Sequence, residues 1–182
     1  MKYIITESQY RLLIEENIQE DVLTIPYDAF NNDWDLLQNF LKKRGYPPYR
    51  LDGNLNLAGK PEVTLNNLTE ISGFLYLQGT KIETLGSLFA AYDNVNLENS
   101  KIETLGDLKI VGGRLNLRNT RIKSLGNLEY VQGSLNLVGT NIEDFGNVGK
   151  IEGKVIIDDT QSIDLYKSNL PIKNGLMIQK NY

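Results

Sequence analysis

The chain of 182 residues contains no histidine and no cysteine. Ser-His-Asp and Cys-His catalytic arrangements cannot be assembled from it, and neither can zinc sites built on His or Cys. Disulfides and thiol chemistry are excluded as well, which leaves the compartment open. No long apolar run occurs, so no membrane-spanning helix is expected. Basic charge is not in excess either: the formal net charge is −4 and the pI about 5.0. Residues 1–54 hold 6 of the 19 basic and 9 of the 23 acidic side chains, and the remainder of the chain is close to balanced. Neither part has the basic surplus expected of a nucleic-acid binder. The opening Met1-Lys2-Tyr3-Ile4-Ile5-Thr6-Glu7 lacks the apolar stretch and cleavage site of a secretory signal, so a cytoplasmic protein is expected.

Cofactor and metal motifs are equally scarce. Gly153-Lys154 resembles the end of a phosphate-binding loop, but Val155 replaces its Ser or Thr and Val148 its first Gly. Asp33-Trp34-Asp35 and Asp158-Asp159 lack calcium-loop spacing and read as cap and turn residues. A hydrolase built on carboxylates alone is the enzyme class left open. No spacing points to one, and the expectation is a protein without enzymatic activity, metal or cofactor.

What the chain does have is a 20-residue period. An apolar residue recurs at Leu55, Leu75, Val95, Leu115, Leu135 and Val155, and again two places on at Leu57, Leu77, Leu97, Leu117, Leu137 and Ile157. Apolar, polar, apolar is a short strand with one face inward. A turn column follows: Gly59, Gly79, Asn99, Asn119, Gly139 and Asp159, the residue types that tolerate positive φ. Next comes a hydroxyl column, Thr80, Ser100, Thr120, Thr140 and Thr160, suited to satisfying backbone groups at the turn. The return path carries Ile82, Ile102, Ile122 and Ile142, then Leu65, Leu85, Leu105, Leu125, Phe145 and Leu165. Leu68 and Ile71 begin two further inward columns. Twenty residues per coil leave no room for a long helix, so 3₁₀ or extended return segments are expected. A single coil cannot bury its apolar row, so stacking must make the core.

The segment Leu115-Asn116-Leu117-Arg118-Asn119-Thr120-Arg121-Ile122 resembles the L-x-L-x-x-N-x-L segment of leucine-rich repeats. The run Leu125 to Leu135 is similar to coils of receptor L-domains. The usual asparagine column is Thr or Ser here, with Lys60 in the first coil. The resemblance implies an α/β solenoid: a right-handed coil with a parallel β-sheet on one face. It also implies a binding function, in that family mostly toward proteins and sometimes toward carbohydrate. The opening Ile4-Ile5-Thr6-Glu7-Ser8-Gln9-Tyr10 resembles the start of many tailed-bacteriophage proteins, which implies a phage or host source.

Three segments are expected: a helical N-terminal cap at 1–54, an array at 55–166 and a C-terminal cap strand at 167–182. Thr6-Glu7-Ser8-Gln9 is a capping box, and Tyr10, Leu13, Ile14 and Ile18 share a helical face. A second helix should start near Asn32 or Asp33, bury Trp34, Leu37, Phe40 and Leu41, and stop at Gly45. Leu176-Met177-Ile178 should form a last strand over the open edge.

The outward strand residues are the candidate surface. Asn56, Asn96, Asn116 and Asn136 form a column expected to stack as an amide ladder. Phe74 and Tyr76, beside Arg114 and Arg118, are residue types that dominate binding hot spots. The candidate partner-binding set is therefore Phe74, Tyr76, Gln78, Asn96, Arg114, Asn116 and Arg118. Binding of a host protein is the leading expectation. A structural component of a virion is the alternative, and a carbohydrate-binding protein a third. The stripe Lys81, Lys101 and Arg121, beside Glu83, Glu103, Lys123 and Glu143, reads as a solvated, register-holding face.

Overall fold

The computed structural model describes residues 22–159 and 175–179. The predicted helix over 6–18 and the column positions Thr160 and Leu165 lie outside the described residues. The rest is a parallel β-solenoid of about six turns with two seven-stranded sheets. The outer-strand sheet takes β3 (Leu55–Asn56), β5 (Leu75–Tyr76), β7 (Val95–Asn96), β9 (Leu115–Asn116), β11 (Leu135–Asn136), β13 (Val155–Asp158) and β14 (Leu176–Gln179). The return-path sheet takes β1 (Leu23–Pro26), β2 (Tyr49–Asp52), β4 (Leu68–Ile71), β6 (Ala90–Ala91), β8 (Ile110–Val111), β10 (Tyr130–Val131) and β12 (Lys150–Ile151). All pairs are parallel, and from β3 to β13 the register advances one repeat per strand, Leu75 opposite Val95 and Asn96 opposite Asn116.

The second sheet corrects the expectation of a sheet on one face only, and of the two return conformations expected, 3₁₀ or extended, the extended one is found. The return segments are extended because their N–H groups bond to the preceding coil rather than along their own stretch of chain. Gly112 N donates to Ala91 O at 2.8 Å, and Gln132 N and Glu152 N donate to Val111 O and Val131 O, each at 2.9 Å. One tight turn per coil interrupts this path, closed by bonds such as Leu128 N to Leu125 O at 3.1 Å. The fold is thus β-rich rather than α/β, with one α-helix among the described residues.

The repeat columns do what their chemistry predicts. Leucine, isoleucine and valine of the two strand columns are at most 2% exposed from Leu55 to Ile157, and form one core with the return-path columns. Burying each such side chain contributes roughly 1.5–3 kcal/mol. The turn column takes the left-handed conformation from Gly59 to Gly139, with φ of 71° at Gly79, 56° at Asn99 and 54° at Asn119, and Asp159 departs from it. The hydroxyl column is buried, and Thr80, Thr120 and Thr140 Oγ1 donate to the carbonyls of Leu77, Leu117 and Leu137 at 2.6–2.7 Å.

The array does not begin abruptly at Leu55. Strand β1 pairs with β2, and β2 with β4, so residues read as cap already extend the return-path sheet. Helix α1 (Trp34–Lys42) starts where Asp33 can cap it, its Oδ1 accepting from Asp35 N at 2.9 Å and Leu36 N at 3.0 Å. Its buried Trp34, Leu37 and Leu41 join the common core, and half-buried Phe40 packs against it. At the far end β14 pairs with β13 as expected of Leu176–Ile178, placing Leu176 opposite Val155.

Candidate functional site

The outward positions of the outer-strand sheet are built from two columns with different local chemistry. The first precedes each inward leucine: Asn54, Phe74, Asn94, Arg114, Ser134 and Lys154. Small polar side chains in alternate coils accept from the backbone of the next coil. Asn54 Oδ1 takes Phe74 N at 3.1 Å, Asn94 Oδ1 takes Arg114 N at 2.8 Å and Ser134 Oγ takes Lys154 N at 3.2 Å. The large side chains between them are free to stand off the sheet.

The second column holds Asn56, Tyr76, Asn96, Asn116, Asn136 and Ile156. The amide ladder expected of these asparagines does not form. Each Oδ1 instead accepts from its own chain two residues on: Ala58 N, Glu98 N, Arg118 N and Val138 N, at 3.1–3.2 Å. That closure is local and fixes few extra torsions, so it wins over stacking between coils. Asn116 has a further role, donating from Nδ2 to Glu98 Oε2 at 3.1 Å.

Phe74 and Tyr76, both half-buried, stack on one another with ring centroids 4.3 Å apart and planes 24° apart. Next to them lies a shallow groove of about 240 Å³ lined by Tyr76, Asn94, Val95, Asn96, Arg114 and Asn116. Four of the seven predicted residues therefore meet at one place, with Phe74 backing the aromatic wall. Arg114 is exposed at the groove's other side. The arrangement offers a flat apolar surface, three side-chain amides and a cation around one groove.

Two predicted residues fall elsewhere. Arg118 is engaged: its Nε lies 3.7 Å from Glu98 Oε1 and its Nη1 donates to Gln179 Oε1 of β14 at 3.1 Å. That bond crosses the rows carrying Val138 and Asp158, outward residues that are only 3% exposed. Gln78 is half-buried, and its Oε1 has no hydrogen-bond partner among the described residues. Asn94 was not singled out in the sequence, although it lines the groove and holds the Arg114 strand. The signal that finds it is the alternation of small and large residues in the first column, a 40-residue period superposed on the 20-residue one.

Electrostatics away from the groove is that of a self-neutralised surface. Ion pairs join Arg50 to Glu70, Lys109 to Glu129, Lys123 to Glu143 and Lys150 to Glu152 at 2.5–3.1 Å, and Lys81 to Glu62 and Arg121 to Glu103 at 3.8 Å. The Glu152 carboxylate raises the Lys150 ammonium, and the Ser124 hydroxyl holds Asp144 below the usual carboxylate value. On the return-path sheet Tyr92 donates to Glu70 Oε2 at 2.9 Å, which raises its phenol. Burial pushes the Tyr27 phenol from 10.0 up to about 12, with Asp33 and Asp35 adding to the effect, and burial raises Tyr49 as well. Among the described residues no group of three or more carboxylates is placed to hold a metal ion, and no helix is long and apolar enough to cross a membrane.

Comparison with protein-family models, with curated proteins and with solved structures found no match for this chain. What fold and surface define is a parallel β-solenoid with an aromatic-and-cationic groove on one sheet.

Proposed function

We propose that this protein is a non-enzymatic binding module that engages another protein through the outer face of the β3–β14 sheet. The observation that carries this reading is the Phe74–Tyr76 stack beside the Arg114 groove. Aromatic and arginine side chains around a concavity supply most of the free energy at protein interfaces. We read the coil as leucine-rich-repeat-like and right-handed, the hand that parallel crossovers overwhelmingly take. The phage-like opening Ile4–Tyr10 supports a phage factor that works on a host protein in the host cytoplasm.

The test is affinity capture from host lysate by the wild type and by Phe74→Ala/Tyr76→Ala/Arg114→Ala, with folding of both checked by urea unfolding. A single stoichiometric protein held by the wild type and lost with the variant supports the reading. Equal recovery by both removes the strand face from consideration.

A second reading, a structural component of a particle, draws on β14. Among the described residues it lies at the end of its sheet, with Met177 and Ile178 about 40% exposed. An apolar strand at a sheet edge favours pairing with another chain. Concentration-dependent light scattering that Met177→Lys/Ile178→Lys abolishes would favour it over the first reading.

A further inference from the structure

We propose that the outer face of the β3–β14 sheet, across and beyond the groove, takes an acidic segment in polyproline II conformation, lying along the solenoid axis and read every third residue by Phe74, Arg114 and Lys154. The inference rests on the strand-face reading above and adds the chemistry and conformation of the ligand.

Charge is the first argument. Ion pairs engage Arg50, Lys81, Lys109, Arg121, Lys123 and Lys150 on other columns, Lys101 making none among the described residues, and on this sheet Arg118 is held by Glu98 and Gln179. The side chains of Arg114 and Lys154 make no ion pair or hydrogen bond among the described residues, and both are exposed. In an acidic chain, two exposed cations on one column without an ion pair among the described residues present a patch complementary to carboxylates.

Spacing is the second. Phe74, Arg114 and Lys154 occupy one column and are separated from one another by two strands each. Parallel strands lie about 4.8 Å apart, so these side chains recur about every 9.6 Å. A polyproline II helix has three residues per turn and a rise of about 3.1 Å, which puts residues i and i+3 on one face about 9.3 Å apart. Over both intervals the mismatch is about 0.6 Å. An extended β segment repeats its face about every 6.8 Å, which fits neither one strand nor two. An α-helix, matched seven residues apart at about 10.5 Å, drifts by nearly 2 Å over the same span.

The surface between the three side chains is the third argument. Asn94 and Ser134, in the intervening coils, are short and turned to their own backbone staples. They leave room for the ridges of the ligand between the large side chains, and the groove between Tyr76 and Arg114 is the first such space. Stacked aromatic rings are the surface on which polyproline II segments dock, because the preformed helix loses little entropy there. The recognised pattern is an apolar residue or proline at i, with Glu or Asp at i+3 and i+6.

The test uses the full-length protein and the fluorescein-labelled peptide Pro-Pro-Leu-Pro-Pro-Glu-Pro-Pro-Glu-Pro-Pro, followed by fluorescence anisotropy. The expected result is saturable binding that weakens with salt. Arg114→Ala and Lys154→Ala should each weaken it roughly fivefold, as for a partly exposed charge-assisted contact. Shifting the second Glu by one place should weaken it comparably, and Arg114→Glu/Lys154→Glu should switch preference to the peptide with Lys in place of Glu. Equal binding of the shifted peptide, or indifference to both cations, would overturn the proposal. So would preferential binding of a seven-spaced helical peptide, of oligo-dT or of a sulfated oligosaccharide. If the peptide fails while the lysate partner is still lost with Phe74→Ala/Tyr76→Ala/Arg114→Ala, the strand-face reading survives and only this inference falls. If the partner is also retained, both fall.

Discussion

Alanine at Gly133 should separate two coils. Gly133 is not at positive φ, so alanine suits its backbone and the effect is one of packing alone. A Cβ there would sit 2.6 Å from the carbonyl carbon and oxygen of Gly113 and 2.7 Å from Arg114 N, against an ordinary contact of 3.4–4 Å. These are backbone atoms, with no rotamer to move aside, so the corner must open by about 0.8 Å to restore ordinary packing. Gly133 N donates to Gly113 O at 2.8 Å and Gly153 N to Gly133 O at 3.1 Å, and an opening of that size breaks at least the first. One or two hydrogen bonds at about 1 kcal/mol each, with overpacking of about 1–3 kcal/mol, give a loss of about 2–5 kcal/mol. Urea unfolding followed by far-UV circular dichroism reads this as a midpoint lower by roughly 1–2.5 M for a slope near 2 kcal/mol/M. Gly149→Ala is the control, because its Cβ would approach only Glu129 O, at 3.4 Å. It should stay within about 0.5 kcal/mol of wild type. A Gly133→Ala midpoint equal to wild type, or equal losses at the two sites, would refute close coil packing at this corner.

Thr120→Val keeps the shape of the hydroxyl column but removes the donor to Leu117 O, and should cost about 1–2 kcal/mol in the same unfolding assay. Asp33→Ala leaves Asp35 N and Leu36 N of α1 without their cap, for about 1 kcal/mol, and Asp33→Asn should recover most of it. The Tyr27 phenol is raised in the folded protein, so its contribution to stability is intact below pH 10 and is lost as pH climbs toward 12. Urea midpoints measured from pH 8 to 11.5 should therefore fall at the alkaline end, and less steeply for Tyr27→Phe. A variant with the wild-type slope would show that this phenol is not desolvated.

The inward columns were legible because twenty-residue spacing and apolar identity agree in coil after coil, from Leu55 to Ile157. No alternative register buries Leu75, Leu77, Leu85 and Leu88 together. The return-path sheet was not legible, for a reason visible in its outward positions. They run Arg50, Glu70, Ala90, Ile110, Tyr130 and Lys150, a column without a shared character, beside strands mostly two residues long. Period-2 alternation cannot be recognised in two residues, and the bonds that define the sheet are backbone bonds, to which side-chain identity is indifferent. The same distinction explains the site. Phe74, Tyr76 and Arg114 were chosen for what their side chains can bind, and the groove brings Tyr76 and Arg114 together. Arg118 was chosen on the same ground, but β14 lies sixty residues further along the chain, and only folding shows that Gln179 reaches it. Asparagine, an amide able to stack, bond to a ligand or turn onto its own backbone, was ambiguous by chemistry. In the fold each Oδ1 accepts from the N–H two residues ahead on its own chain, a closure that needs no second coil. The alternation Asn54, Phe74, Asn94, Arg114, Ser134, Lys154 lies between these cases. It is written in the sequence, but it acquires meaning only when the strands stack about 4.8 Å apart, turning a forty-residue period into a ruler of about 9.6 Å.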